Sequence, residues 1–323
     1  MASKFSRRRF IAGVGVVAAS SAFPRPAHTL AAAPLYPAMD LSYFDTPIRP
    51  EPGSFLIGCA AITWEGKDRQ AIDDIAALGY RGIQLRENAV KEFRSPEELR
   101  ALLYKRHLAL VALSSGNVRL DPALESEDLA KHTANAKFLR DAGGLYLQVI
   151  DQKPKGRAIT ADDYKRLGHL LSELGKRTQD VGLPLGYHNH MGACGERPEE
   201  VDRILDAADP RYVKLELDIA HYVQGGGDPV KAIEKYRDRL LFLHLKDVVD
   251  ADPKTSPKGR PYRFVELGRG RVDVPAVLSA LERVKFRGWT VVELDGPTDG
   301  SRTPKESAAI SKDYLEKRLG QRV

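Results

Sequence analysis

From Gly53 onward the chain repeats one pattern eight times: a short apolar run, then a longer amphipathic and charged run. The apolar runs are Leu56–Thr63, Gly82–Leu85, Leu108–Leu113, Leu145–Ile150, Leu183–His190, Tyr212–Asp218, Leu240–Lys246 and Trp289–Asp295. Runs of that length between turn residues predict strands, and the segments separating them carry helix start signals. Ser95-Pro96-Glu97-Glu98 and Thr303-Pro304-Lys305-Glu306 are capping boxes with proline at the first helical position. Asp228-Pro229 and Asp273-Val274-Pro275 start two further helices. Gly143-Gly144 and Gly182 follow predicted helices, where a left-handed residue is wanted. Strand–helix alternation predicts a parallel sheet in an α/β protein. Eight units in about 270 residues fit a single (β/α)8 TIM barrel spanning 53–323. An open doubly wound sheet is the alternative. It would announce a Gly-rich turn after its first strand, and Gly58-Cys59-Ala60-Ala61 is no such turn.

Side chains alternate along a barrel strand, one parity facing the axis and the other the helices. In Val213-Lys214-Leu215-Glu216-Leu217-Asp218 the even positions are charged and the odd ones apolar. His244 and Lys246 share the inward parity of their strand, as do Glu293 and Asp295 of theirs and His188 and His190 of theirs. A charge facing into a packed barrel is costly unless it is paired or bound to a cation. These charges crowd the C-terminal strand ends, where such barrels place their sites. Of the other histidines, His28 lies in the N-terminal segment and His107, His132 and His169 lie on helical runs, as surface or packing residues. Asp218, His244 and Glu293, with one of His188 and His190, make a mixed imidazole–carboxylate set suited to Mn, Co, Zn or Fe.

Tyr187-His188-Asn189-His190, Leu215-Glu216-Leu217-Asp218-Ile219-Ala220-His221 and Gly225-Gly226-Gly227-Asp228-Pro229 resemble the xylose isomerase-like sugar isomerase/epimerase superfamily. Phe242-Leu243-His244-Leu245-Lys246-Asp247, Gly268-Arg269-Gly270-Arg271-Val272-Asp273 and Gly288-Trp289-Thr290-Val291-Val292-Glu293 extend that resemblance over 55–318. Inosose dehydratases and tagatose-type epimerases are among its members. The resemblance implies a divalent metal held by residues of strands five to eight, which fall on His188, Asp218, His244 and Glu293. It gives His221 a substrate-contacting role through the Asp-x-x-His pattern. Two positions depart from the family: His188 and Gln84 each stand where Glu is frequent. Losing the first acid argues against epimerisation by two carboxylates.

The implied chemistry is proton abstraction beside a metal-polarised carbonyl of a small carbohydrate or cyclitol. Glu293, His190 and His221 are the candidate bases, and Lys246 can hold an enolate oxygen or donate to a hydroxyl. An ion pair of Lys246 with Asp247 or Glu216 is the structural alternative. An isomerase or epimerase is the first expectation. A dehydratase or lyase working by β-elimination is the second, and a non-catalytic carbohydrate-binding barrel the third. Glu196 and Glu266 lie in loops near the same end, either acting on substrate or solvated. No phosphate cradle stands out, which favours a non-phosphorylated substrate. The oligomeric state is left open, a homo-oligomer included.

The formal charge of +6 is an N-terminal property. Residues 1–33 hold five basic residues and no acid, so without them 45 basic residues face 44 acidic ones. A body near +1 argues against a nucleic-acid partner. Ser6-Arg7-Arg8-Arg9-Phe10-Ile11, the mild apolar stretch Ala12–Ala22 and Ala31-Ala32-Ala33 have the order of a secretory signal, and the arginines resemble the twin-arginine type. Cleavage after Ala32 and a periplasmic or exported protein are expected. Residues 34–52 are a proline-rich arm. No apolar run after the signal is long enough for a membrane span. Cys59 and Cys194 are expected to be unpaired packing thiols.

Overall fold

All eight apolar runs become strands, and the strands close on one another. The computed structural model describes residues 55–323 apart from 255, 257, 258, 298, 299 and 301. The signal expected over 1–33 and the arm over 34–52 lie outside the described residues. The ring is formed by β1 (Leu56–Ala60), β2 (Gly82–Arg86), β3 (Ala109–Arg119), β4 (Tyr146–Gln152), β5 (Leu185–His188), β6 (Val213–Asp218), β7 (Leu240–Leu245) and β10 (Trp289–Val292). Every pairing is parallel, and β10 joins β7 to β1. The architecture is therefore the single (β/α)8 barrel that the sequence pattern predicts.

Helices fill the connections: α1 (Asp68–Ala77), α2 (Ala89–Glu92), α3 (Pro96–Lys105), α4 (Glu125–Asp141), α5 (Ala161–Asp180), α6 (Pro198–Ala207), α7 (Ile219–Gln224), α8 (Pro229–Lys235), α9 (Val274–Arg283) and α10 (Pro304–Asp313). The expected caps are made. Ser95 accepts from the Glu98 amide, Thr303 and Glu306 cap reciprocally, and Asp228 and Asp273 accept at the starts of α8 and α9. Gly143 and Gly182 take the left-handed conformation at φ 82° and 89°.

The barrel interior is layered. Toward the N-terminal strand ends, Tyr146 stacks on Phe242 with ring centroids 5.3 Å apart, and Trp289 and Val111 complete a buried apolar plug. A Cβ on Gly82 would collide with the Trp289 ring, so glycine makes room for the largest side chain of the plug. One layer up, the inward positions turn polar: Gln84, Gln148, Glu216 and His244, all buried. A second apolar cluster fills the space between strands and helices.

A two-stranded hairpin, absent from the sequence expectation, follows β7. Strands β8 (Asp247–Asp250) and β9 (Tyr262–Val265) pair antiparallel. Each is four residues long, and the connection between them carries prolines in place of a tight-turn signature, so no periodicity marks it. Asp247 anchors what comes next. Its carboxylate accepts from the amides of Val248, Gly268, Gly270 and Val272, at 2.8–3.1 Å. The Gly-Arg-Gly-Arg segment is thus a loop wrapped on one buried carboxylate. Cys59 and Cys194 are free and buried, as expected.

Candidate metal centre

The polar layer and the residues just above it meet around His244. Asp218 ends β6 and is also the N-cap of α7. Its Oδ1 accepts from the amides of Ala220 and His221, each at 2.9 Å, and Oδ2 makes no hydrogen bond. The neighbouring strand end fixes its backbone: Asn189 accepts from the Asp218 amide at 2.9 Å and donates to its carbonyl at 3.2 Å. His244, on β7, places Nδ1 3.4 Å from Glu216 Oε1, 3.5 Å from Asp218 Oδ2 and 3.4 Å from Glu293 Oε1. His188, the last residue of β5, sets Nδ1 against Glu216 Oε2.

Four of these buried atoms make no well-formed hydrogen bond: Glu216 Oε1, Asp218 Oδ2, His244 Nδ1 and His188 Nδ1, the last in close contact with Glu216 Oε2 but not bonded to it. Buried polar atoms are almost always satisfied, so four orphans grouped around His244 fit the binding of a cation. The donor atoms of His188, Glu216 and His244 lie within 4.8 Å of one another, as do those of Asp218, His244 and Glu293. Imidazole and carboxylate donors at that spacing fit a divalent transition metal.

A belt of side chains beneath fixes the donors. His244 Nε2 meets Gln84 Oε1 at 2.8 Å, Gln84 Nε2 donates to Gln148 Oε1 at 3.2 Å, and Gln148 Nε2 donates to Glu216 Oε2 at 3.4 Å. An amide oxygen only accepts, so His244 carries a proton on Nε2, and Nδ1 is the ring nitrogen turned toward the centre. Electrostatics agree with a cation site. Burial opposes charge on His244, yet Glu216 and Glu293 outweigh it and hold its pKa well above the ordinary value. Burial likewise opposes charge on Glu293 and Asp218. His244 and Lys246 override it for Glu293, and Lys246 for Asp218, so both pKa values fall.

The proposed acid–base residues stand beside this centre. Lys246 is buried and donates to Glu293 at 2.9 Å and Asp295 at 2.5 Å, with Asp218 3.7 Å away. The sequence alternatives for its partner, Asp247 and Glu216, are both corrected. Asp247 is committed to the hairpin loop, and Glu216 sits a layer lower beside His188. His221 lies on α7 and His190 just beyond β5, their rings 3.9 Å apart. Burial, then the charges of His190 and Lys246, pulls His221 well below its ordinary pKa. Burial and His188 bring His190 down to about 4. Phe264 of the hairpin packs 4.7 Å from the His221 ring and 4.1 Å from Lys246 Nζ. Glu196 ion-pairs with Lys153 at 2.7 Å, and Glu266 is fully buried against Ser307 and Arg302. Glu266 is therefore no solvated loop acid.

Sequence reasoning missed Glu216 as a donor, although its inward parity matches that of Asp218. It also missed the belt, because Gln84 and Gln148 carry no charge to betray them.

Known proteins bear out the architecture. An inosose dehydratase from Lacticaseibacillus casei is 29% identical over 292 residues, covering 80% of this chain and 96% of that protein. A crystal structure of the IolI protein with a bound zinc atom superposes with a TM-score of 0.67 at 18% identity, over 82% of this chain and 98% of the other. An L-ribulose 3-epimerase structure gives 0.67 at 15% identity, over 82% and 95%. The same barrel thus carries proteins named for elimination and for epimerisation, and the fold alone does not choose between them. A family model described as xylose isomerase-like TIM barrel matches residues 72–318. With that match spanning most of the sequence and the closed barrel in place, the chain belongs to the xylose isomerase-like TIM barrel family.

Proposed function

We propose that this chain is a divalent-metal-dependent dehydratase that removes water from a keto-cyclitol or related keto-sugar by β-elimination. The observation that carries the proposal is a pair of buried donor triads that share His244 and contain four orphaned donor atoms. His188, Glu216, Asp218, His244 and Glu293 would hold the ion. A bound dication supplies polarisation of the substrate ketone and charge compensation for the enolate. The protein's own groups do the rest. Glu293 and His190 are the candidate acceptors of the proton next to the ketone, and Lys246, paired with Glu293 and Asp295, is the candidate donor to a departing hydroxyl.

Two considerations favour elimination over the isomerase or epimerase placed first by the sequence. The relatives matched along nearly their whole length are named inosose dehydratases. Imidazole at His188, where an acid is frequent, also removes one of the two carboxylates that epimerisation employs. The test incubates metal-loaded protein with inososes and keto-sugars in deuterated water and weighs the products. A product lighter by one water is expected, with turnover falling at least about 100-fold in His244→Ala and Glu293→Ala. A product of unchanged formula with exchanged protons would establish an isomerase. Full turnover after chelation, or in both variants, would sink the metal mechanism.

A further inference from the structure

One residue's backbone touches both histidines at the mouth of the site. His190 Nδ1 lies 2.6 Å from the Met191 carbonyl, and the Met191 amide points at His221 Nδ1 at 3.1 Å. A carbonyl oxygen only accepts and an amide N–H only donates, so the two rings are assigned without ambiguity. His190 must carry its proton on Nδ1 and leave Nε2 bare. Neutral His221 must leave Nδ1 bare and carry its proton on Nε2. The three-histidine group His188, His190 and His221 is therefore no second metal site, although its donor atoms lie within 4.8 Å of one another. A neutral His221 has no lone pair free for an ion.

The proton on His221 Nε2 also alters how Lys246 is understood. Lys246 Nζ sits 3.4 Å from that nitrogen, and an ammonium and an N–H cannot bond each other. Two of the ammonium protons go to Glu293 and Asp295, and Asp218 Oδ2 stays beyond hydrogen-bond reach at 3.7 Å from Nζ and 3.8 Å from His221 Nε2, which leaves one proton on the His221 side. Two donors held side by side, both buried and covered by Phe264, make a site for one oxygen with lone pairs. His190 is more exposed than either, so it is the ring better able to exchange its proton with water.

We propose that Met191 splits His190 and His221 into opposite tautomers, so that His190 Nε2 accepts the substrate proton while His221 Nε2–H and Lys246 bind the departing oxygen of an α-keto polyol. The chemical half rests on the dehydratase reading above. The bond bookkeeping closes. The C–H bond beside the ketone breaks and its proton forms an N–H bond on His190 Nε2, while the electron pair becomes the enolate double bond. That pair then re-forms the C=O as the double bond shifts to the next carbon and the β C–O bond breaks. The leaving hydroxide takes a proton from the donor pair and departs as water. The proton on His190 returns to that pair through solvent, and nothing is oxidised or reduced.

The test uses the full chain labelled with 15N-histidine and loaded with Zn(II), with two-bond 1H–15N spectra reporting which ring nitrogen holds the proton. His190→Gln and His221→Gln assign the two rings by their disappearance, and His190→Asn and His221→Asn serve if either fails to fold. Opposite tautomers are expected, Nδ1–H for His190 and Nε2–H for His221. The same tautomer in both, or the reverse pair, overturns the proposal. Solvent deuterium uptake into an inosose gives a second readout. A Gln amide can donate but has no basic nitrogen, so His190→Gln should lose about 100-fold or more and His221→Gln less than tenfold. The opposite ranking overturns the assignment of base and donor. Opposite tautomers in a protein that exchanges no substrate proton would sink the dehydratase reading and leave the tautomer split standing.

Discussion

Asp218 divides its two oxygens between folding and chemistry. Oδ1 caps α7 and Oδ2 faces the metal point, so one substitution can separate the roles. Asp218→Asn keeps a carbonyl for the cap and turns an amide toward the centre. Flipping it would aim the amide at two backbone N–H groups, which bars the escape. We expect unfolding free energy within about 1 kcal/mol of wild type, since the cap survives, and loss of most bound metal by elemental analysis. Stoichiometric metal in that variant would remove Asp218 from the donor set. Strand parity marks Asp218, His244 and Glu293 as candidates and leaves His188 and His190 level, and the family resemblance is what singles out His188. Glu216 has the same parity two residues before Asp218. The sequence offers it as a partner of Lys246 because parity gives the face of a strand and not the height of its partner in the barrel. The structure places Glu216 beside His188 and Lys246 a layer above. Gln84, noticed only as a departure from a family pattern, proves to orient His244.

The elements that the sequence predicted are those built on repetition. Eight strands follow from eight apolar runs, and the caps follow from local residue pairs that need no tertiary information. The β8–β9 hairpin has neither support. It exists because Asp247 gathers four backbone amides that lie as far away as Val272, a long-range arrangement invisible to a window of neighbours. The β3–α4 contact shows a similar hidden linkage. His132, fully buried on α4, takes a hydrogen bond from Ser115 on Nδ1 at 2.6 Å and donates from Nε2 to the Asn117 carbonyl at 3.1 Å. Asn135 donates to the same Ser115 oxygen at 2.9 Å, which keeps the hydroxyl proton on the histidine. Burial, and then the charge of Lys131, brings His132 down from 6.5 to about 4. The unfolded chain therefore binds a proton that the folded one refuses over this interval. Stability is full above pH 6.5, falls as the pH drops toward 4, and loses roughly 3 kcal/mol to this one residue. Denaturant titrations of wild type and His132→Gln at pH 7, 5.5 and 4 should diverge by that amount. Parallel losses would show that His132 is not a source of acid sensitivity.

For the whole molecule the metal centre is a cost before it is a benefit. His188, Glu216, Asp218, His244 and Glu293 are all buried at one end of a closed barrel, and the interior below them is a dense apolar plug. Three carboxylates in that space repel one another, and the buried ammonium beside them, Lys246, offsets only part of that repulsion. Removing one buried charge while keeping its shape should therefore stabilise the metal-free protein. Glu216→Gln does this, and its side-chain oxygen can still accept from Gln148. In chelator the variant should melt about 2–6 °C above wild type, the shift given by about 1–2 kcal/mol in a domain of this size. Saturating Zn(II) or Mn(II) should reverse the order. An ion that binds only the folded state adds about 2.7 kcal/mol at one hundred times its dissociation constant, and the variant forfeits part of that affinity. The crossing of the two melting series separates a functional carboxylate from a structural one. A buried structural acid would lower stability in both conditions when replaced, whereas a residue kept for its metal lowers it only when the metal is present.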